Sequence, residues 1–596
     1  MNNIYLDNAS TTFPKPKNVV DSIYNFLTNI GGNPGRSNHD NGMQSNRLLL
    51  EARETIANFF NFDNIENVIF TNNITTSLNT LINGCAKKGD HIITSSMEHN
   101  SVLRPLINLK ENNIIELDII NANKFGFINI DDFKNSIKSN TKFIILTHAS
   151  NVIGSIQPIK EIGELCKENN IHFILDSAQS AGVLNVDFKD LNLSALAFTG
   201  HKSLFGPQGI GGFIISDELN EICNPYILGG TGSLSHSLIQ PDFLPDKFES
   251  GTLNMPGIVG LMEGIKFINS EGLNTIYEKN KFLRNYLISE LRNMKNIILY
   301  EDFNSSNYTS CISFNIENLD TAEVSFTLDS DYGIKNRSGL HCAPLAHKTI
   351  GSFPTGTVRL SLSYFNDKSH IDYTINSLSK ISKWILTSFT VNNYSKGGFL
   401  MCSNFLESDS LFQNSYIDIG EFLYNSLLSS LSDDKPIIFI CIGTDRCTGD
   451  SLGPLVGYKL KKTIKNLPKN IYIYGSLESP IHAQNLVEII NKINSNFIDP
   501  YIIAIDSCLG KTNNIGKVFI KNKPILPGLA LNKELPPIGN LSITGIVNIC
   551  GNYEFLILQN TRLYTIMTLA DCISKGIIYF VNKVSNNLEN LSLKSK

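Results

Sequence analysis

The segment Thr199-Gly200-His201-Lys202-Ser203-Leu204-Phe205-Gly206-Pro207-Gln208-Gly209 sets one lysine in a glycine-rich turn between two apolar runs. An amine placed there can form a Schiff base with a carbonyl compound. The flanking Thr199 hydroxyl, the His201 imidazole and glycine N–H groups can hold a phosphate. Pyridoxal phosphate (PLP) carries both groups. In Thr71-Asn72-Asn73-Ile74-Thr75 a strand passes into a helix, so free N–H groups and the helix dipole favour an anion, to which Thr75 adds a hydroxyl. Asp176, in Leu175-Asp176-Ser177-Ala178-Gln179, can pair with a pyridine nitrogen and keep it protonated, and Gln179 can reach a phenolic oxygen. His99 can stack on a cofactor ring, and Asn151 follows the next strand. Each residue alone has an ordinary explanation: Thr75 or Asp176 as a helix cap, His99 as a structural histidine, Lys202 as a solvated loop residue. Together, Thr75, His99, Asn151, Asp176 and Lys202 all fall just after strands, where open α/β sheets bind ligands.

The elements that must position them are legible as alternation. Residues 68–70, 91–95, 114–119, 143–148, 172–176, 195–199 and 211–215 are β-branched apolar runs that read as strands. Between them, 75–86, 100–110, 130–138 and 158–168 read as amphipathic helices, which predicts a mainly parallel sheet covered on both faces. From about 256 to 385 longer helices and fewer strands suggest a smaller α+β domain. The stretch Asn392–Gly398 reads as a linker, with little pattern until a second α/β alternation begins at Pro436–Ile442. That alternation continues with a helix near 452–464 and strands at 470–474 and 500–506.

A chain of 596 residues, 42% apolar, has room for several domains and a large core. The net charge of −5, without a basic cluster, argues against nucleic acid as a partner. The greasy stretch Leu563–Val584 is broken by Asp571 and Lys575 and reads as an amphipathic core helix, so no membrane span is expected. Eleven scattered cysteines make neither a disulfide framework nor a zinc ribbon, which suggests reduced thiols, a cytoplasmic setting and no metal.

On the motifs above, residues 3 to about 385 resemble the class V aminotransferase group of PLP enzymes, specifically the cysteine desulfurases. The resemblance implies PLP fold type I, with a large parallel-sheet domain at about 15–255. A small α+β domain would take 256–390 together with the N-terminal segment. It also implies a homodimer in which Gly251-Thr252 reaches the partner subunit's phosphate, and N-terminal segments (Leu6-Asp7-Asn8-Ala9, Gly32-Asn33-Pro34-Gly35) bordering the active site. Ile74 and Thr75 would bind cofactor phosphate, and Asn151 would touch both cofactor and substrate. Arg337-Ser338-Gly339-Leu340-His341-Cys342 resembles the desulfurase nucleophile loop. Cys342 would take sulfur from PLP-bound L-cysteine as a persulfide, leaving alanine and passing the sulfur to an acceptor protein, with Arg337 and His341 favouring the thiolate. Arg359 matches the arginine that clamps the substrate carboxylate. A selenocysteine lyase or another PLP β-lyase is the alternative chemistry.

The second unit, expected at 431–596 after a linker at 391–430, carries Asp450 before a helix and Asp506 at a later strand end. Two such acids can share a proton and activate water, or hold a metal; on the acids alone, capping for Asp450 and a structural hydrogen bond for Asp506 are the commoner explanation. With Ser479-Pro480-Ile481-His482-Ala483, Leu535-Pro536-Pro537-Ile538-Gly539 and Ser542-Ile543-Thr544-Gly545, this region resembles the YyaC-type sporulation proteins. These are relatives of the germination protease and the hydrogenase maturation proteases. The resemblance implies a phosphorylase/hydrolase-like α/β domain, acting either as a peptidase or as a binding module.

Overall fold

A computed structural model of the chain describes residues 3–594, apart from 36–38, 235, 391–404, 411–414, 465–466, 511–513, 528–535, 550–553 and 560. The chain divides into two compact units, Met1–Tyr394 and Ser395–Lys596. The proposed linker core Asn392–Gly398 and Leu535 of the second unit lie outside the described residues.

The first unit is built on a seven-stranded sheet. Its order is Val68–Thr71, Gly211–Ile215, Ala195–Thr199, His172–Asp176, Thr141–Thr147, Asp90–Ser95 and Ile115–Ile120. Only Gly211–Ile215 runs against the rest. Strand side chains alternate between faces, and both faces are apolar here. Phe173 and Leu175 face one core with the helices Asp40–Phe59 and Ile159–Glu168. Ile174 faces the other, with Ile74–Cys85 and Asn100–Glu111. Double burial explains why these strands read as near-continuous apolar runs.

The small domain has an antiparallel sheet ordered Arg337–Gly339, Thr357–Ser361, Cys311–Ile316 and Ile297–Leu299. Gly356 (φ +77°) lies so close to Gly339 that a Cβ would stand 2.3 Å from its main chain, so glycine sets this crossing. The N-terminal strand Ile4–Tyr5 pairs with Ile334–Lys335, placing that segment with the small domain. One boundary differs from expectation. The helix Met255–Glu271, assigned from sequence to the small domain, buries Ile258, Leu261, Ile265 and Ile268 in the core beneath the large sheet. The small-domain core begins instead along the next helix, Leu273–Arg292, with Leu283, Leu287 and Leu291.

The second unit is a six-stranded mixed sheet ordered Phe405–Asp409, Lys517–Lys521, Leu541–Ile549, Tyr501–Gly510, Ile437–Cys441 and Ile471–Tyr474. The first two strands are antiparallel to their neighbours and the remaining pairings are parallel. Much of the expected linker is therefore structure. Phe405–Asp409 is an edge strand, and Ser415–Ser426 is a helix that buries Ile419, Phe422 and Leu423. The helix Leu563–Lys594 is long and apolar enough over Leu563–Ser585 to cross a bilayer by length and composition. Its Ile566, Leu569, Ile573, Ile577, Phe580 and Val584 recur at helical spacing and are buried in this unit's core, while Tyr564 is 73% exposed.

Candidate active site

The six parallel strands of the large sheet end on one edge, and the chemistry gathers there. His99, Asn151 and Lys202 follow the strands ending at Ser95, Thr147 and Thr199, while Asp176 ends its own strand. Lys202 is half-buried, and its amine is pushed down to about 8: burial leads, Asp176 opposes it, and Arg359 and Arg337 add to it. Asp176 is buried, with Oδ1 accepting the Ala178 N–H at 2.9 Å. Burial raises its carboxyl, and the Lys202 charge counters part of that. A cationic partner would offset the cost of ionising it there.

His99 caps the helix Asn100–Glu111, as Nδ1 accepts from the Ser101 N–H at 3.1 Å. Burial, followed by the charges of Lys202, Arg337, Arg104 and Arg359, lowers the ring to about 4, so at neutral pH it is neutral with its proton on Nε2. The capping role that competed with a functional one at Thr75 belongs instead to Asn73, whose side chain accepts from Thr76 N–H at 2.9 Å. Thr75 is left exposed at the helix start, whereas the Ile74 side chain turns into the core and leaves only its main chain toward an anion.

Thr199 Oγ1 and His201 Nδ1 are buried and lack a hydrogen-bond partner. Buried polar atoms are nearly always bonded, so two within the three residues before Lys202 mark a place for an acceptor-rich ligand. Burial, then Lys202 and Lys15, depresses His201 to about 4. Together with Asp176, these groups fit PLP. Lys202 would bind its carbonyl carbon, Asp176 its ring nitrogen, and Thr75, Thr199 and His201 its phosphate. Gln179 donates to Ala9 O at 3.1 Å, and Thr252 is exposed.

Cys342 is exposed and lines a groove of about 480 Å³ with Thr75, Asn79, His99, Arg104 and Tyr226. His341 and Cys342 are consecutive left-handed residues (φ +48° and +58°). Asn151 Nδ2 donates to His341 O at 2.7 Å, and the Asn100 N–H donates to Cys342 O at 2.9 Å. An Arg337 Nη2–H points at Cys342 Sγ over 3.9 Å. His341, expected from the sequence to favour the thiolate, is neutral. It is 3% exposed, its Nε2 meets Thr357 Oγ1 at 3.1 Å, and burial with Arg359 beside it pushes its ring well below the usual range, so it brings no charge.

Arg359 is 1% exposed and makes three contacts, to Asn151 O (2.9 Å), Asp7 Oδ1 (2.9 Å) and Ser10 Oγ (2.8 Å). The sequence reading did not single out Ser10, Lys15, Glu98 or Arg104. Lys15 Nζ donates to His201 O at 2.8 Å, joining Thr12 N–H at 3.0 Å and Thr11 Oγ1 at 3.1 Å on that carbonyl. Glu98 is buried with one oxygen on Ser95 Oγ (2.6 Å) and the other unpartnered.

In the second unit Asp450 closes a single 3-10 turn, Thr448–Asp450, ahead of the helix Leu452–Thr463. Gly443 (φ +134°) packs so that a Cβ would lie 2.0 Å from Asp450 O, which fixes the turn. Asp506 lies inside the strand Tyr501–Gly510 rather than at its end, because pairing with Leu541–Ile549 carries the strand on to Gly510. Ser507 joins the acids: its hydroxyl donates to Asp450 Oδ1 at 3.5 Å and its N–H to Asp506 Oδ1 at 2.7 Å. Burial raises Asp450 to about 6, and burial with Asp450 alongside raises Asp506 well above the carboxylate range. Among the described residues no group of three or more His, Cys, Asp or Glu could hold a metal ion.

The model of the family described as Aminotransferase class-V matches residues 4–374, and that of a protein of unknown function (DUF1256) matches 409–576. A probable cysteine desulfurase of Methanothermobacter thermautotrophicus is 33% identical over 384 residues, covering 64% of this chain and 94% of that protein. Cysteine desulfurase IscS of Buchnera aphidicola is 34% identical over 393 residues, covering 62% of this chain and 91% of its own length. Among solved structures, the apo cysteine desulfurase of Thermococcus onnurineus superposes with a TM-score of 0.61 at 31% identity, over 64% of this chain and 95% of that one. The cysteine desulfurase CsdA of Escherichia coli superposes at 0.58 and 25% identity, over 64% and 95%.

Proposed function

The chain belongs to the class-V aminotransferase family over residues 4–374, and on that premise we propose that its first unit is a PLP-dependent cysteine desulfurase. The observation that carries the reading is Cys342: an exposed thiol beside Arg337, held by two left-handed residues in a groove shared with His99 and Thr75. PLP, when bound, serves as an electron sink for the carbons of the substrate amino acid. Lys202, with an amine lowered to about 8, supplies a neutral nucleophile near physiological pH for holding the cofactor. Arg359 binds the substrate carboxylate. The neutral His99 ring holds or moves a proton at Nε2. Cys342 Sγ takes the substrate sulfur: an S–S bond forms, the substrate Cβ–S bond breaks, and Cβ gains hydrogen, so that cysteine and the thiol become alanine and a persulfide. An acceptor thiol then reaches the exposed sulfur.

A homodimer is part of the reading. Ile227, Leu228, Leu238 and Ile239 are 49–105% exposed ahead of Gly251-Thr252, an apolar surface that a second copy would cover while Thr252 completes the phosphate site. A cytoplasmic setting suits an enzyme that works through a free thiol. For the second unit the shared Ser507 favours hydrolytic chemistry, in which one acid of the Asp450–Asp506 pair keeps a proton while the other activates water, on a protease-like fold. Asp450→Asn and Asp506→Asn should each abolish peptide cleavage; equal inertness of wild type and variants would favour a binding module.

The test of the first unit is a product assay on the purified, PLP-loaded chain with L-cysteine, with and without a thiol reductant. Alanine and sulfide should appear in equal amounts with reductant. Turnover of selenocysteine with cysteine left intact would move the reading to a selenocysteine lyase.

A further inference from the structure

Arg359 already has a carboxylate. Its Nη2 donates both hydrogens, to Asp7 Oδ1 at 2.9 Å and to Ser10 Oγ at 2.8 Å, and Nη1 donates to Asn151 O at 2.9 Å. Nε is buried without a partner. A guanidinium offers a carboxylate two forks, Nη1/Nη2 and Nε/Nη2, and both include Nη2. With Nη2 saturated, neither fork is open, so a substrate carboxylate cannot dock in two-pronged fashion beside the contacts present.

We propose that the Asp7 carboxylate is a resident stand-in for the substrate carboxylate on Arg359, and that an incoming amino acid binds by exchange with it. This rests on the desulfurase reading of the site and adds a specificity-determining residue to it. Removing one partner of a buried ion pair leaves an uncompensated charge, a cost that Asp7 avoids while the site awaits substrate. Exchange repays the loss of Asp7 only when the newcomer brings its own carboxylate, so amines without one are rejected at this position. Asp7 is the movable partner, since its side chain is 20% exposed against 2% for Arg359.

Ser10 makes the exchange a concerted one. Its hydroxyl donates to Asp7 Oδ1 at 2.8 Å and accepts from both Arg359 Nη2 and Arg337 Nη1, the latter at 3.1 Å. Arg337 in turn faces Cys342 Sγ. The same segment holds the Lys202 turn, through Thr12 Oγ1 to Lys202 O at 2.7 Å. Displacing Asp7 therefore disturbs a single short strand of chain that touches the substrate arginine, the nucleophile's arginine and the lysine turn. Asp7 acts through Arg359 and is a positioning residue.

The experiment is equilibrium titration of the PLP-loaded protein with L-alanine, read by cofactor absorbance, with ethylamine as the probe that lacks a carboxylate. Asp7→Asn keeps the shape and removes the competing charge. L-Alanine should bind about tenfold tighter to it than to wild type, with ethylamine unchanged. Ser10→Ala, which loosens Asp7 without altering any charge, should shift L-alanine in the same direction. Unchanged or weaker L-alanine binding in both variants, or an equal gain for ethylamine, would overturn the exchange. A wild-type protein whose absorbance responds to neither L-alanine nor L-cysteine would overturn the desulfurase reading itself and this inference with it.

Discussion

Glu98→Gln isolates a single buried proton. Glu98 is fully buried, and burial pushes its carboxyl up to about 8, with the Ser95 hydroxyl and the Thr147 main chain opposing and the Asp176 charge adding. The folded state therefore keeps a proton that the unfolded chain, near the ordinary 4.5, gives up. Below pH 4.5 both states are protonated and the group costs nothing. As pH rises from 4.5 to 8 only the unfolded chain ionises, so stability falls, and the loss is complete above 8. At about 1.36 kcal/mol per pH unit, the interval corresponds to roughly 4–5 kcal/mol. Glutamine is nearly isosteric with the protonated acid and does not titrate. In cofactor-free protein, Glu98→Gln and wild type should therefore unfold alike at pH 5. By pH 9 the variant should be the more stable, by on the order of 5–10 °C in the first unit's transition. Differential scanning calorimetry at both pH values reads this directly. A difference between variant and wild type that is the same at pH 5 and pH 9 would refute a proton held at Glu98.

Lys202→Ala should leave no borohydride-reducible PLP attachment; a persisting adduct would point to Lys15, the other amine at this turn. Cys342→Ser should keep PLP and respond to L-cysteine spectrally while forming almost no persulfide, since a hydroxyl is a poor nucleophile toward sulfur. Normal turnover there would indicate a lyase that needs no thiol. Arg359→Lys should cost about 2–3 kcal/mol in kcat/KM, because one ammonium cannot replace a two-pronged guanidinium; unchanged kinetics would show that the carboxylate docks elsewhere. A fragment ending near residue 390 should remain folded and PLP-loaded, and 405–596 should fold alone. A fragment starting at 425, by contrast, should aggregate, having lost the edge strand Phe405–Asp409 and the helix Ser415–Ser426; soluble, folded 425–596 would refute that dependence.

The strand-end pattern was readable because double burial writes itself as unbroken β-branched runs, and a residue following such a run must emerge on the ligand edge. Burial of a particular loop residue leaves no such trace. His341 adjoins the thiol in sequence, which suggests a charged ring beside it, yet burial with Arg359 and Thr357 alongside makes it neutral. The Asp7–Arg359 pair spans 352 positions, and neither local spacing nor composition connects its ends. Phe405–Asp409 reads as linker in sequence because an edge strand, half solvated, carries charged residues such as Glu407, paired here with Lys517. Met255–Glu271 departs from its expected domain for a different reason: helical periodicity announces a buried face without saying which sheet it faces.

The two left-handed residues at His341 and Cys342 have a kinetic consequence. Each such non-glycine conformation costs roughly 1–2 kcal/mol and is kept only where the surroundings fix it, as Asn151 and Asn100 do here. A sulfur transferred to Cys342 is thus parked rather than carried. Without a visiting thiol the protein would fill to one sulfur per site in a single burst of alanine and then stall. From that point its pace would follow the acceptor's concentration, making the enzyme a one-place store whose turnover is metered by demand.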